Sequence, residues 1–250
     1  NKSSYIIYLG KMNSLQQKNI LITGASKGIG KATALLFATF KVNIGLIARN
    51  ESELLALQSE IIAKGSNCNI YTGNVSDENF VNNTVQSFIQ NFGSIDIMIN
   101  NAGFGIFKPT TEISLQEWED IFATNATGTF LFCKAVIPNM KENKKGHIIN
   151  LASDVAKRTF ANGSLYCASK YAQDAFSMAI RKELRPFEIK VSVVYSGLVD
   201  SYFHAEPEGD TSHKNWLKNE DMANAIVYIA SQPKHVVIDE LMIHPLEQEY

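Results

Sequence analysis

Seven short apolar runs alternate with longer segments of helical periodicity, and this alternation constrains the fold more than any other feature of the sequence. Most runs are apolar throughout, as expected for strands that are covered by helices on both faces. Strand and helix in repeated alternation predict an α/β fold with a doubly wound, parallel, seven-stranded sheet. The runs are Asn19–Thr23, Val42–Ala48, Asn69–Gly73, Ile95–Asn100, His147–Ala152, Lys190–Tyr195 and His235–Ile243.

The helical segments lie between these runs and suggest one domain. No tandem repeat, low-complexity tract or linker interrupts the pattern, so we expect a single domain over residues 12–250. Residues 1–11 precede Met12 and are expected to be an amino-terminal arm or residues added to the natural chain. The helical segments are Ile29–Phe40, Glu51–Lys64, Asp77–Phe92, Leu115–Met140, Ser164–Arg185 and Asn219–Ser231.

Charge and cysteine content restrict the classes of partner. The formal net charge is −2, which does not favour binding to nucleic acid or to an anionic membrane. No apolar run approaches the ~20 residues of a membrane helix. The cysteines, Cys68, Cys133 and Cys167, are odd in number and lack Cys-x-x-Cys spacing, and the five histidines are scattered. We therefore expect a cytoplasmic protein with no disulfide framework and no metal site.

A glycine-rich turn follows the first predicted strand. In the stretch ITGASKGIGKATALLFA, glycines stand at positions 24, 28 and 30, directly before an amphipathic helix. Glycines let the backbone turn sharply and approach a pyrophosphate, which the amides of the helix N-terminus then bind. A tight turn without a ligand would also need glycine. The position in the first strand–helix unit favours a Rossmann-type dinucleotide site.

The end of the second predicted strand bears on which dinucleotide binds. In NAD-binding sites an acidic residue there accepts hydrogen bonds from the ribose hydroxyls and repels a 2′-phosphate. This chain has Ala48 at that position, followed by Arg49, whose planar guanidinium suits phosphate oxygens. Lys27 in the glycine turn adds a second cation. Each cation alone is also explained as a solvated surface charge, but together they favour NADP(H).

A tyrosine and a lysine four residues apart indicate proton chemistry. Tyr166 and Lys170 in LYCASKYAQ share one face of a predicted helix. A nearby ammonium favours the phenolate and lowers the tyrosine pKa from its usual ~10. Tyr166 would then exchange a proton with a carbonyl or alcohol oxygen. Ser153, which follows the fifth predicted strand, would hydrogen-bond the same oxygen.

Taken together and in this order, these motifs resemble those of the short-chain dehydrogenase/reductase family across Asn19–Ile243. TGASKGIG resembles the family's cofactor turn, NNAG at 100–103 its fourth-strand signature, and YCASK its active-site tyrosine and lysine. The resemblance implies four catalytic residues, which are Asn125, Ser153, Tyr166 and Lys170. The expected cofactor-binding residues are Thr23, Gly24, Ser26, Lys27, Gly28, Ile29, Gly30, Arg49, Asn74, Val75, Asn101, Ala102, Gly103, Tyr166, Lys170, Gly197 and Val199.

The resemblance also implies roles for these residues and an oligomer. Lys170 would bind the nicotinamide ribose, and Asn125 would hold a water that links Lys170 to solvent. Family members commonly associate through the helix that carries the tyrosine, so a homodimer or homotetramer is expected. Two positions depart from the family pattern: Ser196 replaces a proline after the sixth strand, and Asn74 replaces an aspartate after the third.

The substrate is less constrained than the chemistry. Residues 196–218 form the predicted substrate loop, because they leave the carboxyl end of the sixth strand. The sequence favours reduction of a small ketone or aldehyde, or oxidation of an alcohol or hydroxy acid. Lys157 and Arg158 could instead anchor an acyl carrier, as in a 3-oxoacyl-carrier reductase, or could be solvated. A dinucleotide-sensing regulatory or scaffold protein is the alternative outside enzymes. Six aromatic residues favour an apolar pocket: Phe104, Phe107, Phe160, Tyr195, Tyr202 and Phe203.

Overall fold

Seven parallel strands organise the part of the chain that the computed structural model describes, residues 13–203 and 207–249. The arm expected over residues 1–11 lies outside the described residues. The strands pair in the order β3–β2–β1–β4–β5–β6–β7. Their bounds are β1 (Asn19–Thr23), β2 (Asn43–Ala48), β3 (Asn67–Thr72), β4 (Ile97–Asn100), β5 (Gly146–Ser153), β6 (Ile189–Ser196) and β7 (Glu240–Ile243).

Helices connect successive strands and cover both faces of the sheet. The strand order reverses between β1 and β4, where the loops at the carboxyl ends diverge and leave a crevice. The doubly wound α/β fold expected from the sequence is therefore confirmed. The helices are α1 (Gly28–Ala38), α2 (Glu51–Ala63), α3 (Glu78–Phe92), α4 (Leu115–Phe122), α5 (Gly128–Glu142), α6 (Ser164–Leu184) and α7 (Asn219–Ala230).

The sheet is stable because its strands are buried on both faces. All residues of β1, β4 and β5 are buried, and Ile22 pairs with Ile99 at the centre. One apolar cluster joins the sheet to α1, α2 and α7 through residues such as Phe37. The other joins it to α3, α5 and α6 through residues such as Phe88 and Phe132. Burying each such side chain contributes about 1.5–3 kcal/mol.

The last strand is shorter than its sequence suggests. An apolar run predicted a strand over His235–Ile243, but β7 begins only at Glu240. The Lys190 ammonium donates to the carbonyls of Gln232, Pro233 and Val236 at 2.9–3.0 Å. These contacts hold the preceding segment in a turn around the lysine, so that it does not pair with β6.

The helix predicted over Leu115–Met140 is interrupted. A π-helical turn, Ala123–Thr127, separates α4 from α5. The whole segment Leu115–Glu142 is, among the described residues, the one helix whose length and apolar composition would suffice to cross a membrane. Core helices of globular proteins meet the same criterion, and Phe132, Val136 and Met140 of this segment are fully buried against the sheet.

Candidate active site

A cleft of about 1310 Å³ opens at the carboxyl ends of the strands and brings together most of the predicted site residues. Its size exceeds the ~300–1,000 Å³ of a pocket for one small ligand, which leaves room for a dinucleotide and a substrate. Thr23, Gly30 and Asn125 do not line it. The predicted residues that do are Gly24, Ser26, Lys27, Gly28, Ile29, Arg49, Asn74, Val75, Asn101, Ala102, Gly103, Ser153, Tyr166, Lys170, Gly197 and Val199.

The glycine turn at one end of the cleft requires its glycines. Gly24 and Gly28 have positive φ angles of 63° and 57°, which other residues rarely adopt. A Cβ on Gly30 would lie 2.2 Å from the Gly24 carbonyl oxygen. Unlike α2 and α3, which are capped by side chains, α1 begins without a side-chain cap. Its amides therefore remain available for a phosphate, and the turn fits a dinucleotide.

Thr23 and Asn101 brace this turn from behind. The Thr23 hydroxyl accepts hydrogen bonds from the amides of Asn101 and Ala102 at 3.0 and 3.1 Å. The Asn101 side chain donates to the carbonyls of Thr23 and Gly24, both at 3.0 Å. Thr23 is thus placed to support the turn, and Asn101 both lines the cleft and ties β1 to the loop after β4.

The expected cofactor cations lie at the mouth of the cleft. Arg49 and Lys27 are both exposed and line it, and the Lys27 ammonium lies 5.2 Å from the centre of the Tyr202 ring. Asn74 is exposed, and its side-chain oxygen accepts from the Ser76 amide at 3.1 Å. Ala48 leaves no carboxylate at the end of β2, so the local charge suits a 2′-phosphate.

Ser153, Tyr166 and Lys170 meet at the inner end of the cleft. Ser153 ends β5, whereas Tyr166 and Lys170 lie on the buried face of α6. The Lys170 ammonium lies 5.9 Å from the centre of the Tyr166 ring. It donates to the Leu151 carbonyl and to the side-chain oxygen of Gln173, both at 3.0 Å. Two of the three lysine hydrogens are therefore directed into the protein.

The protonation of this group differs from the sequence-based expectation. Burial raises the pKa of Tyr166, and its hydrogen bond with Ser153 opposes that rise. Burial also lowers the pKa of Lys170 to about 8. Desolvation of the phenol is the largest cause, so in the protein alone the pKa of Tyr166 is raised, whereas the sequence led us to expect a lowered value.

Asn125 lies behind the cleft in the π-helical turn. Its side chain accepts from the Phe104 amide at 3.1 Å and donates to the Phe104 carbonyl and the Ser169 hydroxyl, each at 3.0 Å. The Thr129 hydroxyl donates to the Asn125 backbone carbonyl at 3.0 Å. These bonds fix the loop after β4 against α6. The water that Asn125 is expected to hold stays a prediction.

Gln173 is a contributor that the sequence analysis did not identify. Its side chain accepts from Lys170 and donates to the Thr129 hydroxyl at 2.9 Å. A continuous chain of hydrogen bonds thus runs from Lys170 through Gln173 and Thr129 to the Asn125 carbonyl. The available signal was a polar residue three positions after Lys170, on the same buried helix face.

Aromatic side chains form one wall of the cleft around Tyr166. The rings of Phe107 and Phe203 each lie 5.4 Å from the Tyr166 ring, and Phe160 packs on Phe107 at 5.7 Å. Of the six aromatic residues expected to face the site, Tyr195 does not line the cleft. It is 1% exposed, and its hydroxyl donates to Asp174 at 2.6 Å. Successive side chains of a strand point to opposite faces of the sheet, and Tyr195 lies on the face of β6 that is directed towards the core.

The two cations after Ser153 are ion-paired with protein carboxylates. Lys157 contacts Asp174 at 2.9 Å and Glu240 at 3.4 Å. Arg158 pairs with Asp154, the residue next to Ser153. Gln248 also reaches this wall and donates to Asp154 at 2.8 Å. Asp154 and Gln248 were not predicted from the sequence, because they are 94 residues apart and no local pattern connects them.

The site contains proton-transfer groups and no evident metal-binding cluster. No group of three or more His, Cys, Asp or Glu side chains that could hold a metal occurs in residues 13–203 and 207–249. What the geometry brings together is a phosphate-binding turn at one end and, at the other, a hydroxyl, a phenol and an ammonium. This arrangement suits proton exchange with a substrate oxygen beside a bound dinucleotide.

Comparisons with known proteins agree with this geometry. A protein from Staphylococcus epidermidis, described as an uncharacterized oxidoreductase, is 30% identical over 94% of this chain and 100% of its own. The alcohol dehydrogenase from the archaeon Thermococcus sibiricus, solved with 5-hydroxy-NADP, has a TM-score of 0.88 and 29% identity over 93% of this chain and 98% of its own.

A second solved structure is similar to the same extent. The closed form of a serine dehydrogenase complexed with NADP+ has a TM-score of 0.85 and 29% identity, covering 92% of this chain and 96% of that one. The family model for short chain dehydrogenases matches residues 18–210. With the glycine turn, the serine, the tyrosine and the lysine all in place, the chain belongs to the short-chain dehydrogenase family and is an oxidoreductase.

Proposed function

We propose that the protein is an NADP-dependent oxidoreductase that transfers hydride between the nicotinamide and a small carbonyl or alcohol substrate, which is a ketone, an aldehyde or a hydroxy acid. The convergence of Ser153, Tyr166 and Lys170 at the inner end of a dinucleotide-sized cleft carries this proposal. The NADP complexes of the two solved neighbours support the choice of cofactor.

The cofactor-binding role is divided along the cleft. The uncapped amides of α1 would bind the pyrophosphate, and Arg49 with Lys27 would hold the 2′-phosphate. Lys170 has one hydrogen left after its bonds to Leu151 and Gln173, and we assign that hydrogen to the nicotinamide ribose. Bound NADP(H) would supply or accept the hydride, while the protein provides position and proton transfer.

Tyr166 is the proposed general acid and base. Its raised pKa keeps the phenol protonated at neutral pH, which suits proton donation to a carbonyl oxygen during reduction. In the reverse direction the phenolate must form, and the adjacent Lys170 ammonium favours it. Ser153 would hydrogen-bond the same oxygen and stabilise its developing charge. Asn125 holds the surrounding loops through its bonds to Phe104 and Ser169.

The decisive experiment is an absorbance assay of a carbonyl and alcohol panel against NADPH, NADH, NADP and NAD. We expect NADPH oxidation with carbonyl substrates. Tyr166→Phe should lower kcat by about 100-fold or more, within the range for loss of a general acid, while NADPH still binds with similar affinity. A preference for NADH would contradict the assignment of Arg49 and Lys27.

The same assay separates the remaining alternatives. A dinucleotide-sensing regulatory or scaffold protein would bind NADPH without any turnover across the panel. A 3-oxoacyl-carrier reductase would act far better on carrier-linked substrates than on free ketones. The ion pairs of Lys157 and Arg158 make those cations less suited to anchoring a carrier phosphate.

We further propose a cytoplasmic location and a homo-oligomer, a homodimer or homotetramer. Three free, buried cysteines support a reducing compartment. The oligomer is supported by apolar residues that α6 presents to solvent.

A further inference from the structure

A carboxylate lies directly beside the proposed catalytic serine. Asp154 follows Ser153 at the end of β5, lines the cleft, and is only 3% exposed. The Ser153 hydroxyl donates to one oxygen of Asp154 at 3.0 Å. Because Ser153 is also the group that would contact the reacting oxygen, the carboxylate borders the position of the substrate carbonyl.

The other oxygen of Asp154 is held by Arg158, four residues along the chain, and by the distant carboxyl-terminal segment. The Arg158 Nε donates to it at 2.9 Å, and Arg158 Nη2 donates to the same oxygen. The Gln248 amide donates to it at 2.8 Å, while the Gln248 carbonyl accepts from the Leu198 amide at 2.8 Å. His244 Nε2 lies 3.4 Å away. The carboxyl-terminal segment thus contributes directly to this wall.

Both cations of this wall are already paired with carboxylates of the protein. Asp154 engages two nitrogens of the Arg158 guanidinium, and Lys157 is paired with Asp174 and Glu240. A carboxylate next to the substrate carbonyl would therefore meet Asp154 at close range and would have to displace it from Arg158. Like charges brought together in a partly desolvated site repel strongly.

The opposite wall favours a different chemistry. Phe107 and Phe203 pack beside Tyr166, and Phe160 extends the same apolar surface. Apolar and aromatic groups gain most from transfer into such a pocket. The two walls together suit a neutral molecule with an apolar body and a single carbonyl group.

On the basis of the proposed function, we propose that the Asp154–Arg158 pair makes the enzyme select neutral, apolar ketones and aldehydes and discriminate against substrates that carry a carboxylate beside the carbonyl. Of the substrate classes that the sequence left open, this excludes 2-oxo acids and 2-hydroxy acids as the preferred substrates.

The test compares two substrates that differ in charge and by one methyl group, methyl benzoylformate and benzoylformate, each reduced with NADPH. Both carry the same ketone and the same phenyl ring. We expect the wild-type kcat/KM to be about 100-fold higher for the ester. The carboxylate of the acid would be brought against Asp154, and this repulsion weakens its binding. Asp154→Asn removes the carboxylate charge beside the reacting carbonyl while Arg158 keeps its own charge, so the ratio of acid to ester activity should rise by about tenfold or more.

Two further variants test whether the change in the ratio of acid to ester activity comes from the Asp154–Arg158 pair. Arg158→Gln in the Asp154→Asn background should abolish the gain, because the guanidinium is then lost. Glu249→Gln removes another carboxylate that lines the cleft, although it is exposed, and should leave the ratio nearly unchanged. If Asp154→Asn does not fold, the single variant Arg158→Gln tests the same pair. It leaves the Asp154 carboxylate without the Arg158 cation, so the ratio of acid to ester activity should fall below that of the wild type.

The outcomes separate the inference from the function on which it rests. Equal activity on ester and acid in the wild type, or a ratio that neither Asp154→Asn nor Arg158→Gln changes, overturns the inference and leaves the NADP-dependent reductase intact. NADPH binding with no oxidation of any neutral or acidic carbonyl in the panel overturns the proposed function itself.

Discussion

Burial shifts the pKa values of Tyr166 and Lys170 in opposite directions. Desolvation favours the neutral form of each group, so it raises the pKa of the phenol and lowers that of the amine to about 8. The lysine retains its charge at neutral pH because its hydrogens reach Leu151 and Gln173. The site therefore holds a destabilised cation, as functional sites commonly do.

The lowered pKa of Lys170 predicts how stability depends on pH. The ordinary pKa of 10.5 falls to about 8 on folding, so above pH ~8 the unfolded chain binds a proton that the native state has released. Stability then rises with pH through this range. Between pH 7 and 9 the free energy of unfolding should rise by about 1 kcal/mol more than in Lys170→Met, as measured by urea denaturation. Parallel curves for the two proteins would contradict this prediction.

Gln173 should influence catalysis through the charge of Lys170. Gln173→Leu removes an acceptor and should lower the lysine pKa, so activity should be lost at a lower alkaline pH. Gln173→Glu places a carboxylate beside the ammonium and should move that loss to higher pH. Each displacement is expected to be about one pH unit, measured from the pH profile of kcat/KM for NADPH. A purely structural role would move the profile in the same direction in both variants, or in neither.

At the scale of elements, the junction of β1 and α1 is the most constrained part of the site. A Cβ on Gly30 would collide with the Gly24 carbonyl, and a Cβ on Gly24 would collide with the backbone of Ala102, so neither position tolerates one without a shift of backbone. The same junction is tied to the loop after β4 by Thr23 and Asn101. Cofactor binding thus depends on two loops that support each other.

Gly30→Ala should separate cofactor binding from the rest of the fold. The new Cβ would meet the Gly24 carbonyl at 2.2 Å, which costs about 1–3 kcal/mol in comparable overpacked sites. The Kd for NADPH should rise at least tenfold, as measured by fluorescence titration, while circular dichroism shows the sheet and helices intact. Gly65→Ala is the control for strain alone: Gly65 follows α2 far from the cleft, has a φ of +85° that alanine adopts only with strain, and has open space around it. It should lower stability without changing the Kd for NADPH. An equal rise of the Kd for NADPH in Gly30→Ala and Gly65→Ala would argue against a specific role of the glycine turn in cofactor binding.

Across the molecule, α6 presents two different faces. Its buried face carries Tyr166 and Lys170, whereas its outer face presents Tyr171, Ala175 and Met178 to solvent. Exposed Phe130 on α5 lies beside this face through its contact with Phe176. An apolar stripe of this kind commonly marks a protein–protein contact.

We expect this stripe to form the contact between subunits. Met178→Glu combined with Phe130→Glu should convert the oligomer to a monomer in size-exclusion chromatography with light scattering. Leu55→Glu is the control, because Leu55 is also exposed but lies on α2. A wild-type protein that is monomeric at all concentrations, or a double variant with unchanged mass, would contradict the proposed oligomer.

Local sequence patterns were sufficient to predict the strands and helices and to name most of the expected site residues that the fold brings to the cleft. Alternating apolar runs and helical periodicity are local properties, so they predicted all seven strands and the doubly wound sheet. The glycine turn and the Tyr166–Lys170 pair are likewise encoded within a few residues. Where prediction failed, long-range contacts intervened: Lys190 shortens β7 by binding carbonyls more than 40 residues away.

Which groups meet in the cleft, and in which protonation state, depends on contacts between segments that are distant in the sequence. Asp154, Arg158 and Gln248 converge because β5 and the carboxyl-terminal segment end at the same edge of the sheet. Likewise, Tyr195 turns inward to Asp174, and Gln173 takes a hydrogen of Lys170. Burial and pairing between distant segments set the protonation of these groups, which the local pattern of residues does not encode.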